Sequence, residues 1–151
     1  MGNMAATRTK TKDLLNGVGG AVSKLGMFFP DDSETDECFG IATVAEPLIV
    51  IGPGKMNAIE SMLQGGVTKA VMDFGFKVRL YFAYENHTDF DYTALEDLIE
   101  EILGVLTNMA NWDGVLVSSP YEIEPFEKTG EHTASPRVVL MEMGLRFKGN
   151  V

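Results

Sequence analysis

The chain has 151 residues, 45% of them apolar and 23% charged, which is the composition of a globular protein and favours a single domain over residues 1–151. Its net charge of −10 argues against a surface that binds duplex DNA, because neutralising phosphates requires clustered lysine and arginine. No apolar run approaches the roughly 20 residues that span a bilayer, and the single cysteine, Cys38, excludes an internal disulfide and a cysteine-based zinc site.

The N-terminal segment is basic, although the chain as a whole is acidic. Residues 1–30 have a net charge of +3, which leaves −13 for the other residues. The four basic residues of this segment are Arg8, Lys10, Lys12 and Lys24. Residues 1–12 are rich in threonine and lysine, and we predict a flexible arm there, because chain ends of this kind fray readily. The alternative is that this basic tip contacts nucleic acid or an acidic neighbour.

An amphipathic helix is predicted after the arm. Its apolar face has helical spacing and consists of Leu14, Leu15, Val18, Ala21, Val22 and Leu25, with Gly26 in the position of a C-terminal cap. Three glycines lie inside this helix, at positions 17, 19 and 20, and each costs about 1 kcal/mol relative to alanine. Packing against the rest of the protein must therefore stabilise this helix more than its intrinsic helix propensity does.

Strand patterns occupy the middle of the chain. Residues 47–51 predict a short buried strand, closed by a turn at Gly52-Pro53-Gly54. Residues 57–64 predict a helical turn, which ends at the next pair of glycines. Residues 68–72 and 75–85 then predict either two strands or one long bent strand.

A second amphipathic helix is predicted from Thr93 to Thr107. Thr93 and Glu96 have the spacing of a capping box, in which each side chain satisfies a free backbone N–H group. The apolar face holds Leu95, Ile99, Ile102, Leu103 and Leu106, and the opposite face holds Glu96, Asp97, Glu100 and Glu101. The acidic face is either an ordinary solvated surface or a surface that meets a partner or a lumen.

The C-terminal third predicts a short strand at residues 115–117, a long polar loop over 120–136 and a final strand over 137–147. One face of the final strand holds Arg137, Val139, Met141, Met143, Leu145 and Phe147. The other holds Val138, Leu140, Glu142, Gly144, Arg146 and Lys148, and we expect a partner to cover part of it. Together these elements predict an α+β fold. It has an antiparallel or mixed sheet of four to five strands, with an N-terminal helix and a central amphipathic helix packed on one face.

One string has the form of a catalytic motif. Asp89-Phe90-Asp91-Tyr92-Thr93 matches D-x-D-x-T, the first motif of haloacid-dehalogenase-type phosphatases, whose first aspartate is the nucleophile and whose second is a general acid beside magnesium. In that class the motif directly follows a buried strand, whereas residues 85–88 intervene here. Thr93 is also explained as a helix cap. The string is therefore better interpreted as the start of a helix.

Two further patterns are incomplete. Gly52-Pro53-Gly54-Lys55 follows a strand but lacks the length of a phosphate-binding loop and the Ser or Thr after its lysine. His87 and His132, with the nearby aspartates 89 and 91, lack the fixed spacing of a metal site. They are better explained as polar residues on the protein surface, so no metal, cofactor or catalytic residue is expected.

The order of elements resembles the tail terminator family, the tail-completion proteins of long-tailed bacteriophages. The likeness covers most of the chain and lies in element order and hydrophobic pattern. It is closest in the strand Val78–Tyr84 leading into the helix at 95–106, and the segment 121–147 also fits. The glycine-rich first helix and the acidic segment Asp31–Glu37 have no counterpart in that pattern.

The resemblance implies a structural virion protein and not an enzyme. Members of the family form a ring, commonly a hexamer, that caps the tail tube and joins it to the head connector. DNA passes through the lumen without specific binding. The implied location is the virion tail or neck, with assembly in the host cytoplasm and no membrane contact. The alternatives are a head-completion or neck connector protein of the same region, an adaptor that binds peptides or proteins without a ring, and a magnesium-dependent phosphatase-like enzyme using Asp89 and Asp91.

Overall fold

The computed structural model of the protein describes residues 3–26, 46–64, 67–84, 89–112, 119–132 and 137–150. The helices are α1 (Asn3–Leu15) and α2 (Asp89–Thr107). The strands are β1 (Val22–Leu25), β2 (Leu48–Ile51), β3 (Lys55–Gln64), β4 (Val67–Tyr84), β5 (Glu122–His132) and β6 (Arg137–Asn150). Short 3-10 segments at Val18–Gly20 and Met109–Trp112 follow α1 and α2.

The strands form one mixed sheet in the order β1-β2-β4-β6-β5, with β3 paired to β4 outside this path. β1 and β2 are parallel, and the other described pairs are antiparallel. The α+β fold predicted from the sequence is confirmed, with six strands among the described residues where four to five were expected.

β4 organises the sheet. It has 18 residues, which corresponds to about 60 Å of extended chain. β2 and β3 run one after the other along the same edge of β4, in the same direction, and the register shifts by one residue across Gly52–Gly54. The buried strand predicted at 47–51 is confirmed as β2, and the glycine-proline-glycine segment ends it, but the chain continues into β3 in the same direction without reversing. The alternative of one long strand over 68–85 is confirmed for its described part, whereas the helical turn predicted at 57–64 is a strand.

The main core lies between the helices and one face of the sheet. Its fully buried side chains include Leu15, Ile49, Phe74, Ile102, Leu106 and Phe147. The Phe147 ring stacks on Phe74 and Phe76, with centroids 5.6 and 5.3 Å apart, and meets Trp112 edge-on at 5.4 Å. The alternation predicted for β6 is confirmed, since Val139, Met143, Leu145 and Phe147 all belong to this core.

A smaller cluster is buried on the outer face, the side of the sheet opposite the helices. It consists of Leu48, Val50, Tyr81, Ala83, Val138 and Leu140. These side chains are at most 3% exposed within the single chain. The apolar start of the second face of β6 is therefore buried within the single chain, and the partner expected over part of this face stays a prediction.

The N-terminal elements differ from the prediction. Residues 3–12 belong to α1, not to a flexible arm, and the helix ends at Leu15 without continuing to Gly26. It ends there because Gly17, Gly19 and Gly20 have φ of 89°, 57° and 81°, a region that only glycine adopts easily. The predicted second half of the helix is β1.

α1 is fixed to the sheet by specific polar contacts. Thr7 and Thr11 are fully buried, and the Thr11 hydroxyl donates to the Thr7 carbonyl at 2.8 Å. Arg8 reaches across to the interruption between β2 and β3, where its Nε donates to the Gly52 carbonyl at 2.7 Å. The Ser23 hydroxyl donates to the Lys12 carbonyl and joins β1 to the helix.

The C-terminal half also has two corrections. α2 begins at Asp89, four residues before the expected start, so Thr93 lies inside the helix and the predicted capping box does not form. The long loop predicted over 120–136 contains β5, which pairs with β6 with two register irregularities. The strand predicted at 115–117, the acidic segment 31–37 and Cys38 lie outside the described residues.

Candidate functional site

A strip of charged side chains crosses the outer face beside the buried cluster. Glu142 on β6 stands opposite Arg79 on β4. Its carboxylate accepts hydrogen bonds from Arg79 Nε at 2.8 Å and Lys77 Nζ at 3.0 Å. The Arg79 and Glu142 side chains are only 17% and 15% exposed, so this ion pair is largely shielded from water.

The strip continues towards the end of β6. The Tyr121 hydroxyl donates to Asp73 Oδ2 at 2.7 Å, and Arg146 Nη2 lies 3.3 Å from the same oxygen. Arg146 Nη1 is 3.4 Å from Glu122. The Arg146 guanidinium and Lys148 Nζ lie 5.6 and 5.2 Å from the centre of the Tyr121 ring, within cation–π range. These contacts tie the start of β5 to β4 across β6.

The strip shifts the pKa of its carboxyl groups. The hydrogen bond from Tyr121, aided by the charge of Arg146, lowers the pKa of Asp73 although burial opposes it. Burial likewise tends to raise the pKa of Glu142, but the bonds from Lys77 and Arg79 outweigh it and hold that pKa below its usual value. Both carboxylates are therefore charged members of the fold.

Replacing Glu142 by glutamine is expected to lower the free energy of unfolding by about 2 kcal/mol, because Arg79 then loses a charged acceptor in a shielded position. A depressed folded-state pKa stabilises the fold where the carboxylate is ionised, above the usual value of 4.5, and this contribution is lost as pH falls through the folded-state pKa. Urea unfolding of both proteins between pH 3 and pH 7 measures this. Exposed Glu60→Gln is the control. A Glu142→Gln penalty that persists undiminished at pH 3 would contradict the assignment.

A cleft of about 580 Å³ opens beside the strip, between the interruption at Gly52–Gly54 and β6. Its charged lining residues are Lys55, Lys77, Glu124 and Arg146. Gly75 and Gly144 form part of its wall, at positions where the Leu145 carbonyl and the Glu124 side chain approach the backbone closely. The cleft presents mixed charge, and no arrangement of a nucleophile with a base is found among its lining residues.

An apolar cavity of about 280 Å³ lies on the helix side, between α2 and β5. It is lined by Phe82, Tyr84, Tyr92, Leu95, Glu96, Ile99, Lys128, Glu131, Val139 and Met141. The Tyr84 hydroxyl donates to Glu131, and Lys128 Nζ lies 2.8 Å from the same carboxylate. Burial, together with this bond, raises the pKa of Tyr84, which stays a neutral donor. The recess is thus apolar, with two glutamates and one lysine on its rim.

The aspartates and histidines that resemble catalytic or metal-binding motifs do not form a site in the described residues. Asp89 and Asp91 lie in the first turn of α2, after β4 has ended at Tyr84, and not at the tip of a buried strand. Residues 85–88, including His87, lie outside the described residues, as do the side chains of Asp89, Asp91 and His132. In the described part of the chain, no group of three His, Cys, Asp or Glu side chains is placed to hold a metal ion.

The Gly52–Lys55 string is part of the sheet. The Gly52 N–H donates to the Lys77 carbonyl at 2.8 Å, and the Gly52 carbonyl accepts from Arg8. Lys55 is the first residue of β3. A phosphate-binding loop offers free backbone N–H groups to its ligand, whereas this N–H group is already bonded within the fold.

Comparison with known proteins adds no relative: no protein-family model matches the chain, and no curated protein matches it. Within the described ranges, neither helix has the length and apolar character needed to cross a membrane.

Proposed function

We propose that this chain is a structural virion protein, a tail terminator that forms a ring on the tail tube and joins it to the head connector. The observation that carries the proposal is the β3–β4 hairpin. Its strands pair from Lys55–Gly75 to Gln64–Val67, whereas the pairing of β6 with β4 stops at Val71. The far end of the hairpin therefore extends beyond the rest of the sheet.

This hairpin arm, residues 55–75, has the character of an assembly surface. Its side chains from Lys55 to Glu60 are exposed. They include Met56 and Ile59, which are 44% and 58% exposed and are among the most exposed large apolar side chains of the described residues. A two-stranded hairpin without a partner on its outer edge is marginally stable and presents free backbone groups to another chain. A ring subunit that reaches its neighbour accounts for such an arm.

The acidity of the chain fits a ring through which DNA passes. A lumen lined by carboxylates repels phosphates, so the DNA does not adhere during ejection. The net charge of −10 leaves an excess of carboxylates from which such a lumen could be lined.

The test is the mass of the full-length protein, measured by native mass spectrometry, alone and with tail-tube protein. A closed oligomer of fixed stoichiometry, hexameric by resemblance, that binds the end of tubes is expected. A strict monomer under both conditions would exclude a ring. An oligomer that binds the head connector and not the tube would identify a neck connector.

Ile59→Asp is expected to weaken assembly about tenfold or more without changing the melting temperature by more than a few degrees, because Ile59 is exposed in the single chain. Glu60→Asp, on the other face of the same strand, is the matched control. Assembly is measured by light scattering over a dilution series. Equal assembly of the two variants would remove the arm from the subunit contact.

A further inference from the structure

The two ends of the sheet carry opposite charge. The basic end, comprising α1 and β1, holds Arg8, Lys10, Lys12 and Lys24 against Asp13. The acidic end comprises β5 and the side of α2 that lines the cavity beside it, and it holds four glutamates of β5 and Glu96 against Lys128, whereas another side of α2 packs against α1. β1 and β5 are the outermost strands of the described sheet, and neither has a second partner within it. Each end is therefore a sheet edge with its own sign of charge, and at the β1 edge the Ser23 N–H group is already bonded to Asn16 Oδ1.

The charges at these ends are only partly neutralised inside the chain, by the pairs Lys12–Asp13, Lys128–Glu131 and Arg146–Glu122. Within the described ranges, Glu96, Asp97, Glu100 and Glu101 have no ion-pair partner, and neither do Lys10 and Lys24. Like charges four residues apart destabilise a helix, and α2 contains two such pairs, Glu96 with Glu100 and Asp97 with Glu101. The helix dipole favours acidic residues only in the first turn, so it does not offset them. A cationic surface facing α2 would offset this repulsion.

The apolar features of the two ends are also complementary. At the acidic end lies the 280 Å³ cavity, whose rim includes Glu96 and the ion pair of Glu131 with Lys128. At the basic end Val22 and Leu25 of β1 are 43% and 38% exposed, on either side of the exposed Lys24. An apolar recess with a net negative rim therefore matches an apolar strand edge that carries a lysine.

We infer that the basic end of one copy of this chain binds the acidic end of a second copy, with the β1 edge seated against α2 and β5 over the cavity. The two surfaces differ, so the contact is head-to-tail, and repeated contacts of this kind close into a ring when the rotation between neighbours allows it. The inference rests on the proposed ring and assigns its subunit contact.

The test uses two charge-reversed proteins. The first carries Glu96→Lys and Glu100→Lys, and the second carries Lys10→Glu and Lys24→Glu. Each protein alone presents two ends of the same sign, so the concentration needed for half-assembly should rise about tenfold or more. In an equimolar mixture, the ends of one protein attract the oppositely charged ends of the other. The mixture should therefore form oligomers in which the two proteins alternate, and native mass spectrometry should show a one-to-one ratio.

The controls separate the possible failures. Glu60→Lys makes the same charge change on the hairpin arm, so mixing it with the Lys10→Glu, Lys24→Glu protein should not restore one-to-one oligomers. Glu96→Gln with Glu100→Gln removes charge without reversal and should weaken assembly less, and thermal unfolding verifies that each variant folds. If the unaltered chain forms rings and the reversed proteins form them equally well, or if the mixture fails to restore them, the inference is overturned while the ring stands. If the unaltered chain is a monomer even with tubes, the proposed function fails as well.

Discussion

Replacing Phe147 by alanine is expected to lower the free energy of unfolding by about 4 kcal/mol, because it leaves a cavity at the centre of the main core. Phe147 is fully buried and contacts three aromatic rings, those of Phe74, Phe76 and Trp112. These rings come from β4 and from the 3-10 segment after α2. The substitution therefore loosens the junction of the sheet with the helix layer, and the melting temperature should fall by about 10 °C.

Urea unfolding followed by circular dichroism measures this change. Phe147→Leu keeps most of the apolar volume and should cost less than half as much. Ile59→Ala, at a position that is 58% exposed, should change the free energy of unfolding by less than about 0.5 kcal/mol. A loss below about 1.5 kcal/mol for Phe147→Ala would mean that the aromatic cluster does not hold the layers together.

Elements with an unbroken pattern were predicted well. β2 is a run of four buried residues, and β6 alternates apolar and polar side chains along most of its length, so their strand character is visible in the sequence alone. The apolar and acidic faces of α2 were also predicted, although its start was not. Acidic residues such as Asp89 and Asp91 interact favourably with the dipole in the first turn of a helix, so α2 begins before Thr93.

The elements that were missed depend on contacts between distant residues. α1 buries Thr7 and Thr11, whose hydroxyl groups make its inward face look polar in the sequence. In β3, Ile59, Met62 and Leu63 have helical spacing, but pairing along β4 imposes a strand. β5 contains Pro125 and four glutamates, and its pairing with β6 is irregular, which conceals a strand pattern.

The candidate interaction surfaces were predicted only in part. The acidic face of α2 was visible because its residues are close in the sequence. The charged strip was not, because Arg79 and Glu142 are 63 residues apart and Asp73 and Arg146 are 73 apart. Only the register between β4 and β6 brings them together. The opposite charge of the two sheet ends likewise depends on strand order, which places β1 and β5 at opposite edges.

The pairing of β4 with β6 also makes Gly75 the second position where a substitution is expected to lower stability strongly. A Cβ atom added there would stand 2.5 Å from the Leu145 carbonyl oxygen, well inside van der Waals contact. This oxygen belongs to the backbone of β6, which pairs with β4 over 14 residues, so it cannot withdraw without breaking the ladder. Gly75→Ala is therefore expected to lower the free energy of unfolding by about 3 kcal/mol.

Gly144 offers a matched control on the neighbouring strand. A Cβ atom there would lie 2.8 Å from Glu124 Oε2, the far end of an exposed and flexible side chain that can rotate away. Gly144→Ala should therefore cost less than about 1 kcal/mol, and alanine's smaller loss of backbone entropy offsets part of that. Urea unfolding compares the two variants, and amide hydrogen exchange near Leu145 locates the effect. Equal losses for both would mean that β4 and β6 shift freely against each other, and the charged strip would then lack the fixed register on which it depends.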